Sequence, residues 1–99
     1  MIKLKQAPRT PGEILSDIAD LVTEREEDHG NWLVNMETAA ELWSVVLGVR
    51  VRGDQVANCL LQLKIARQIT SGKTDDYDDA IGYAALAAAW FEHEEKRDS

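Results

Sequence analysis

At 99 residues the chain is a single small domain, and a domain of that size buries so limited a core that sharing one with a second copy is a natural way to complete it. Hydrophobic residues at 44% and charged residues at 29% fit a globular protein and exclude disorder except at the ends. A net charge of −7 argues against a nucleic-acid or anionic-membrane partner, while a small anionic ligand held in a local basic pocket stays open.

Residues 1–9 read as a flexible or loosely docked tail, and the domain proper spans 10–96. Lys3, Lys5 and Arg9 have no apolar segment behind them, so the start of the chain is not a signal peptide. Thr10-Pro11-Gly12-Glu13 predicts a helix start, with Thr10 as cap, Pro11 in the first turn and Glu13 closing a capping box. The first helix runs to about Asp28, with Leu15, Ile18 and Val22 on one side. Glu13, Asp17, Asp20, Glu24 and Glu27 fall on one strip, which reads as a solvated face or, less simply, a metal-binding one.

His29-Gly30-Asn31 breaks that helix. Trp32-Leu33-Val34 reads as an apolar linker, and Asn35 as the cap of a second helix ending at Leu47-Gly48. Met36, Ala39, Ala40, Trp43 and Leu47 face inward, while Glu37, Glu41 and Ser44 share another side. Val49 to Arg52 is an extended connection, and Gly53-Asp54 opens a third helix that stops at Ser71-Gly72. That helix is apolar almost all round, which marks it as central or covered by a partner chain. Its Cys59 reads as a small buried hydrophobe. As the single cysteine it excludes an internal disulfide and fits a reducing, cytoplasmic setting. Lys64 and Arg67 project from the apolar arc, so if buried they need carboxylates or phosphates.

The fourth helix starts in Lys73-Thr74-Asp75-Asp76 and runs to about Lys96. Asp76, Asp79, Tyr83 and Trp90 share one stripe, and Gly82, Ala85 and Ala89 form another that would let a helix approach closely. The apolar run from Ala80 to Phe91 is too short to span a bilayer. No strand or repeat is predicted. The expected architecture is all-α and four-helix bundle-like, organised around the hairpin from Val56 to Phe91.

Few chemistries fit these residues. His29 and His93 lack zinc-type spacing, and no glycine loop could cradle phosphate. Asp76 and Asp79, assisted by Glu37 and Glu41, could hold Mg²⁺ in a nucleotide site, with Lys64 and Arg67 on phosphate oxygens. The alternative is an internal ion-pair network from Lys64 and Arg67 to Asp79 and a neighbour, tying the third helix to the fourth. The tryptophans and tyrosines could stack on a base or simply fill the core.

From Glu24 to Ala88 the chain resembles a family of small proteins common in tailed-phage genomes and prophages. The residues that carry this are His29-Gly30, Leu42-Trp43 before Leu47-Gly48, Leu63-Lys64-Ile65-Ala66-Arg67, then Asp75, Asp79 and Gly82-Tyr83-Ala84. That family is remotely similar to the MazG-like nucleotide pyrophosphohydrolases and to phage nucleotide-modification-associated domains, through Asp76-x-x-Asp79-x-x-x-Tyr83. The resemblance implies a MazG-like, all-α, Mg²⁺-dependent homo-oligomer, a dimer for preference, that converts nucleoside triphosphates to monophosphate and pyrophosphate. In such an enzyme Asp76 and Asp79 would be metal ligands and Tyr83 would stack on the ligand. Glu37 and Glu41, which lie further upstream than the family's spacing, would be catalytic by assisting metal or water, and Lys64 and Arg67 would be phosphate-binding. The glutamate-rich first motif of those enzymes falls at Gln62–Gln68, where this chain carries Lys64 and Arg67. A non-catalytic phage module that sequesters a nucleotide or inhibits a host protein is the alternative.

Overall fold

The computed structural model describes residues 7–98, the side chains of 97 and 98 excepted. Four helices follow one another: α1 (Pro11–His29), α2 (Trp32–Leu47), α3 (Gly53–Ser71) and α4 (Thr74–Asp98). Among the described residues there is no strand, and no helix is long and apolar enough to cross a membrane.

The chain's own punctuation sets these limits. Thr10 Oγ1 accepts from the Glu13 N–H at 3.2 Å, and the Glu13 carboxylate accepts from the Thr10 N–H at 3.1 Å, closing the predicted capping box. Those bonds hold the Glu13 carboxyl below its ordinary range, the backbone bond at Thr10 contributing most. Gly30, Gly48 and Gly72 end α1, α2 and α3 at φ of 84°, 71° and 69°, conformations that a side chain would strain.

The start of α2 differs from expectation. Asn31, not Asn35, is the cap: its Oδ1 accepts from the N–H groups of Leu33 at 2.8 Å and Val34 at 3.3 Å. Trp32-Leu33-Val34 is therefore the first helical turn rather than a linker. Asn35 lies inside the helix and donates from its amide to the His29 carbonyl at 3.2 Å. At the other end Ser44 Oγ donates to Ala40 O at 2.7 Å and accepts from the Val51 N–H at 2.8 Å, clamping the connection into α3.

The α3–α4 hairpin is the centre, as the sequence leads one to expect. Its buried contacts come from Val56 and Ala57 on α3 and from Ala80, Ala87 and Trp90 on α4. Helix α2 packs on α3 with Ala40 buried, and α1 packs on α4 through Ile18. The acidic strip of α1, from Glu13 to Glu27, faces solvent.

Burial departs from the helical wheel in several places. Cys59 is exposed, because α3 turns one side away from both of its neighbours; Leu63 and Ile69 on the same helix are 53% and 76% exposed. Leu47, expected inward, ends α2 at 61% exposure. No helix sits close to Gly82, where an added Cβ would have nothing within 4 Å. The close approach is at Gly53, whose missing side chain makes room for the Trp90 indole.

Candidate functional site

The first two turns of α4 carry four carboxylates, and three of them, Asp76, Asp78 and Asp79, are each matched to a different part of the chain. Asp79 stands between Lys64 of α3 (Nζ to Oδ2, 3.1 Å) and Arg25 of α1 (Nη2 to Oδ1, 3.5 Å). Asp76 is buried, with Arg67 Nε 3.9 Å from Oδ1, while its Oδ2 has no hydrogen-bond partner. Asp78 accepts two bonds from Arg9, at 3.0 and 3.1 Å, and Arg9 also reaches Asp17 at 2.9 Å. These carboxylates, Asp17 first, raise the Arg9 pKa further. Most of the tail expected over residues 1–9 lies outside the described residues, but Arg9 at its end is fixed across α1 and α4.

The ion-pair network foreseen as the alternative to a phosphate site is therefore formed. Lys64 and Asp79 are each only 18% exposed, so their pairing takes place largely out of water. Arg67 is a looser partner, with a side chain 55% exposed.

Beside this network lies a cleft of about 420 Å³ between α1, the start of α2 and α4. Tyr83 and Asp79 line it together, as the stripe on α4 predicts. Arg25, His29 and Trp32 complete its polar and aromatic walls, over a floor that includes Ile18 and Met36. Gly82 adds room, since its missing side chain leaves open space at the wall. None of Arg25, His29 or Trp32 was singled out as a site residue from sequence. Arg25 had a signal, as the one lysine or arginine in an otherwise acidic α1.

Glu37 and Glu41 are not in this cleft. They line a second cavity of about 440 Å³ with Arg50, Arg52, Trp90 and Glu94. Along α4, Trp90 lies about 16 Å from Asp79 at 1.5 Å per residue. The separation follows from topology: α3 and α4 are antiparallel, so α2, which leads into the start of α3, lays its second half beside the end of α4. Among the described residues no three His, Cys, Asp or Glu side chains are grouped to hold a metal ion.

Fold and site together define a small all-α protein with an antiparallel hairpin at its centre and an aromatic, charge-lined cleft against α4. The chain belongs to the family described as Domain of unknown function (DUF6378), whose model matches residues 13–90, from the first turn of α1 to Trp90. No curated protein and no solved structure matches it.

Proposed function

We propose that the protein binds a nucleotide in the cleft between α1, α2 and α4. The observation that carries this reading is the presence in one cleft of two aromatic rings, Trp32 and Tyr83, with Arg25, His29 and Asp79. A volume of about 420 Å³ suits a ligand of that size. The rings offer faces to a base, and a guanidinium offers paired N–H donors to phosphate. Without ligand, Asp79 occupies Arg25 and Lys64. An incoming phosphate would take over these cations, so the carboxylate acts as an internal stand-in for the ligand's charge. A phage or prophage origin, in a host cytoplasm, goes with this reading.

Mg²⁺ asks for a near-octahedral set of oxygens. Both oxygens of Asp79 already face side-chain cations, and Glu37 and Glu41 lie in the other cavity. In a single chain the residues fit ammonium and guanidinium groups better than a divalent ion. One observation favours the second reading, a MazG-like Mg²⁺-dependent pyrophosphohydrolase: the buried Asp76 Oδ2 without a partner.

Thermal melting against nucleoside mono-, di- and triphosphates, each with and without Mg²⁺, separates the two. A ligand at about a hundred times its Kd adds about 2.7 kcal/mol, a rise in midpoint of about 10–20 °C for a domain of this size. The binding reading expects a shift without Mg²⁺ that Tyr83→Leu and Arg25→Met abolish while the helical signal stays intact. A shift that needs both Mg²⁺ and a triphosphate, with pyrophosphate released, moves the assignment to the hydrolase. A flat panel overturns both.

A further inference from the structure

We propose that the outer face of α2 is the contact between two copies of this chain, packed antiparallel about a two-fold axis near Val45 and Val46. This inference does not depend on the ligand cleft, which takes only Trp32, Asn35 and Met36 from the start of α2.

The face is a continuous apolar surface. Leu42, Val45 and Val46 stand at the i, i+3 and i+4 positions of one helical side, and Val49 follows just beyond the Gly48 cap. Their exposures are 62%, 82%, 83% and 62%. Leu47 at the helix end is 61% exposed. A fully exposed valine or leucine side chain offers on the order of 100 Å², so at these exposures Leu42, Val45, Val46 and Val49 present roughly 300 Å² on one chain. That lies in the range of the largest patch of a typical monomer. A two-fold contact removes it twice, about 600 Å² of apolar surface, to which the polar rim at Glu41 and Arg50 adds, the size of a weak, reversible interface. The exposed side of α3, with Leu63 and Ile69, is broken by Asn58 and Gln62 and offers less.

Charge selects a second copy as the occupant and sets its direction. The helix carries two acids and no base, and the connection after it carries Arg50 and Arg52. Glu41 and Arg50 line the same edge, since both border the second cavity, and neither has an ion pair or hydrogen bond among the described residues. In an antiparallel pair centred between Val45 and Val46, Val45 opposes Val46 of the other copy and Leu42 opposes Val49. The same register sets Glu41 against Arg50, twice by symmetry. A surface that answers itself in both apolar positions and charge is what an isologous dimer requires. A parallel two-fold pair would bring Glu41 level with Glu41 and Arg50 level with Arg50, on opposite edges, and pair neither.

Sedimentation equilibrium on the full chain tests the proposal. The mass is expected to rise from one chain to two as concentration passes through the micromolar range. Val45→Asp with Val46→Asp, at two exposed positions, is expected to keep the helical circular-dichroism signal and hold the mass at one chain. Glu41→Arg and Arg50→Glu are each expected to raise the dimer Kd about three- to tenfold, and the double exchange to restore it. A single chain at every concentration overturns the proposal and assigns the face to another partner. A dimer indifferent to the Val45/Val46 change overturns it too, placing the contact elsewhere, with the Leu63 and Ile69 side of α3 next in line. If the charge exchange fails to restore pairing, the antiparallel register is refuted.

Discussion

Gly53→Ala is the sharpest test of how the hairpin is closed. Gly53 is the first residue of α3 and is buried, with an ordinary negative φ. On backbone grounds alone alanine would be at least as good there, since glycine costs up to about 1 kcal/mol in a helix. The structure reverses that sign. An added Cβ would stand 2.6 Å from Trp90 Cδ1 and 2.8 Å from Cε2, with Nε1 closer still. Restoring normal carbon contacts requires the indole to retreat by about 1 Å. Trp90 is only 6% exposed, so it has nowhere to retreat without dislodging its neighbours. Overpacking of this kind costs about 1–3 kcal/mol, and a net loss near 2 kcal/mol lowers the melting midpoint by about 8–16 °C. Circular dichroism and tryptophan fluorescence, followed at one fixed protein concentration, measure it. Adding Trp90→Phe shortens the ring and should recover part of the loss as a non-additive coupling. A Gly53→Ala protein as stable as the parent would refute the contact and the packing built on it.

Asp79→Asn should destabilise by about 1–3 kcal/mol, because it leaves a mostly buried Lys64 with a neutral partner; adding Lys64→Met should return most of that loss in urea denaturation. Glu13 titrates below its ordinary value of 4.5 in the folded state. Its contribution is therefore complete above that pH and fades as pH falls through the lowered value. Melting curves of the parent and Glu13→Gln should differ at neutral pH and converge in acid, and a gap that persists in acid would refute the capping box as its source.

Much of the fold was legible because its signals are local. Thr10-Pro11 with Glu13, and the glycines at 30, 48 and 72, act within a turn of the chain. The misplaced start of α2 shows the limit of such signals. Asn31 and Asn35 can both cap, and only the bonds from Leu33 and Val34 decide between them. Cys59 shows a different limit: on a helix with apolar residues all round, periodicity cannot say which side a neighbour will cover. For the site, the stripe on α4 put Asp79 and Tyr83 together correctly, because both lie on one element. Periodicity gave Glu37 and Glu41 a side of α2 but not their height along α4. That height depends on the antiparallel crossing of α3, a long-range fact. Arg9 reaches Asp78 across 69 positions of chain, and no spacing rule could have found it.

Gly82 ties two demands together at one atom. As an interior residue of α4 it makes that helix weaker than alanine would, by roughly 1 kcal/mol, and nothing nearby would resist a methyl group there. The same missing methyl opens the wall of the cleft. The position is thus a place where sturdiness and capacity trade against each other, the molecule giving up rigidity in α4 to keep a vacancy beside Tyr83. An alanine here would be a plug that leaves the scaffold firmer than it found it.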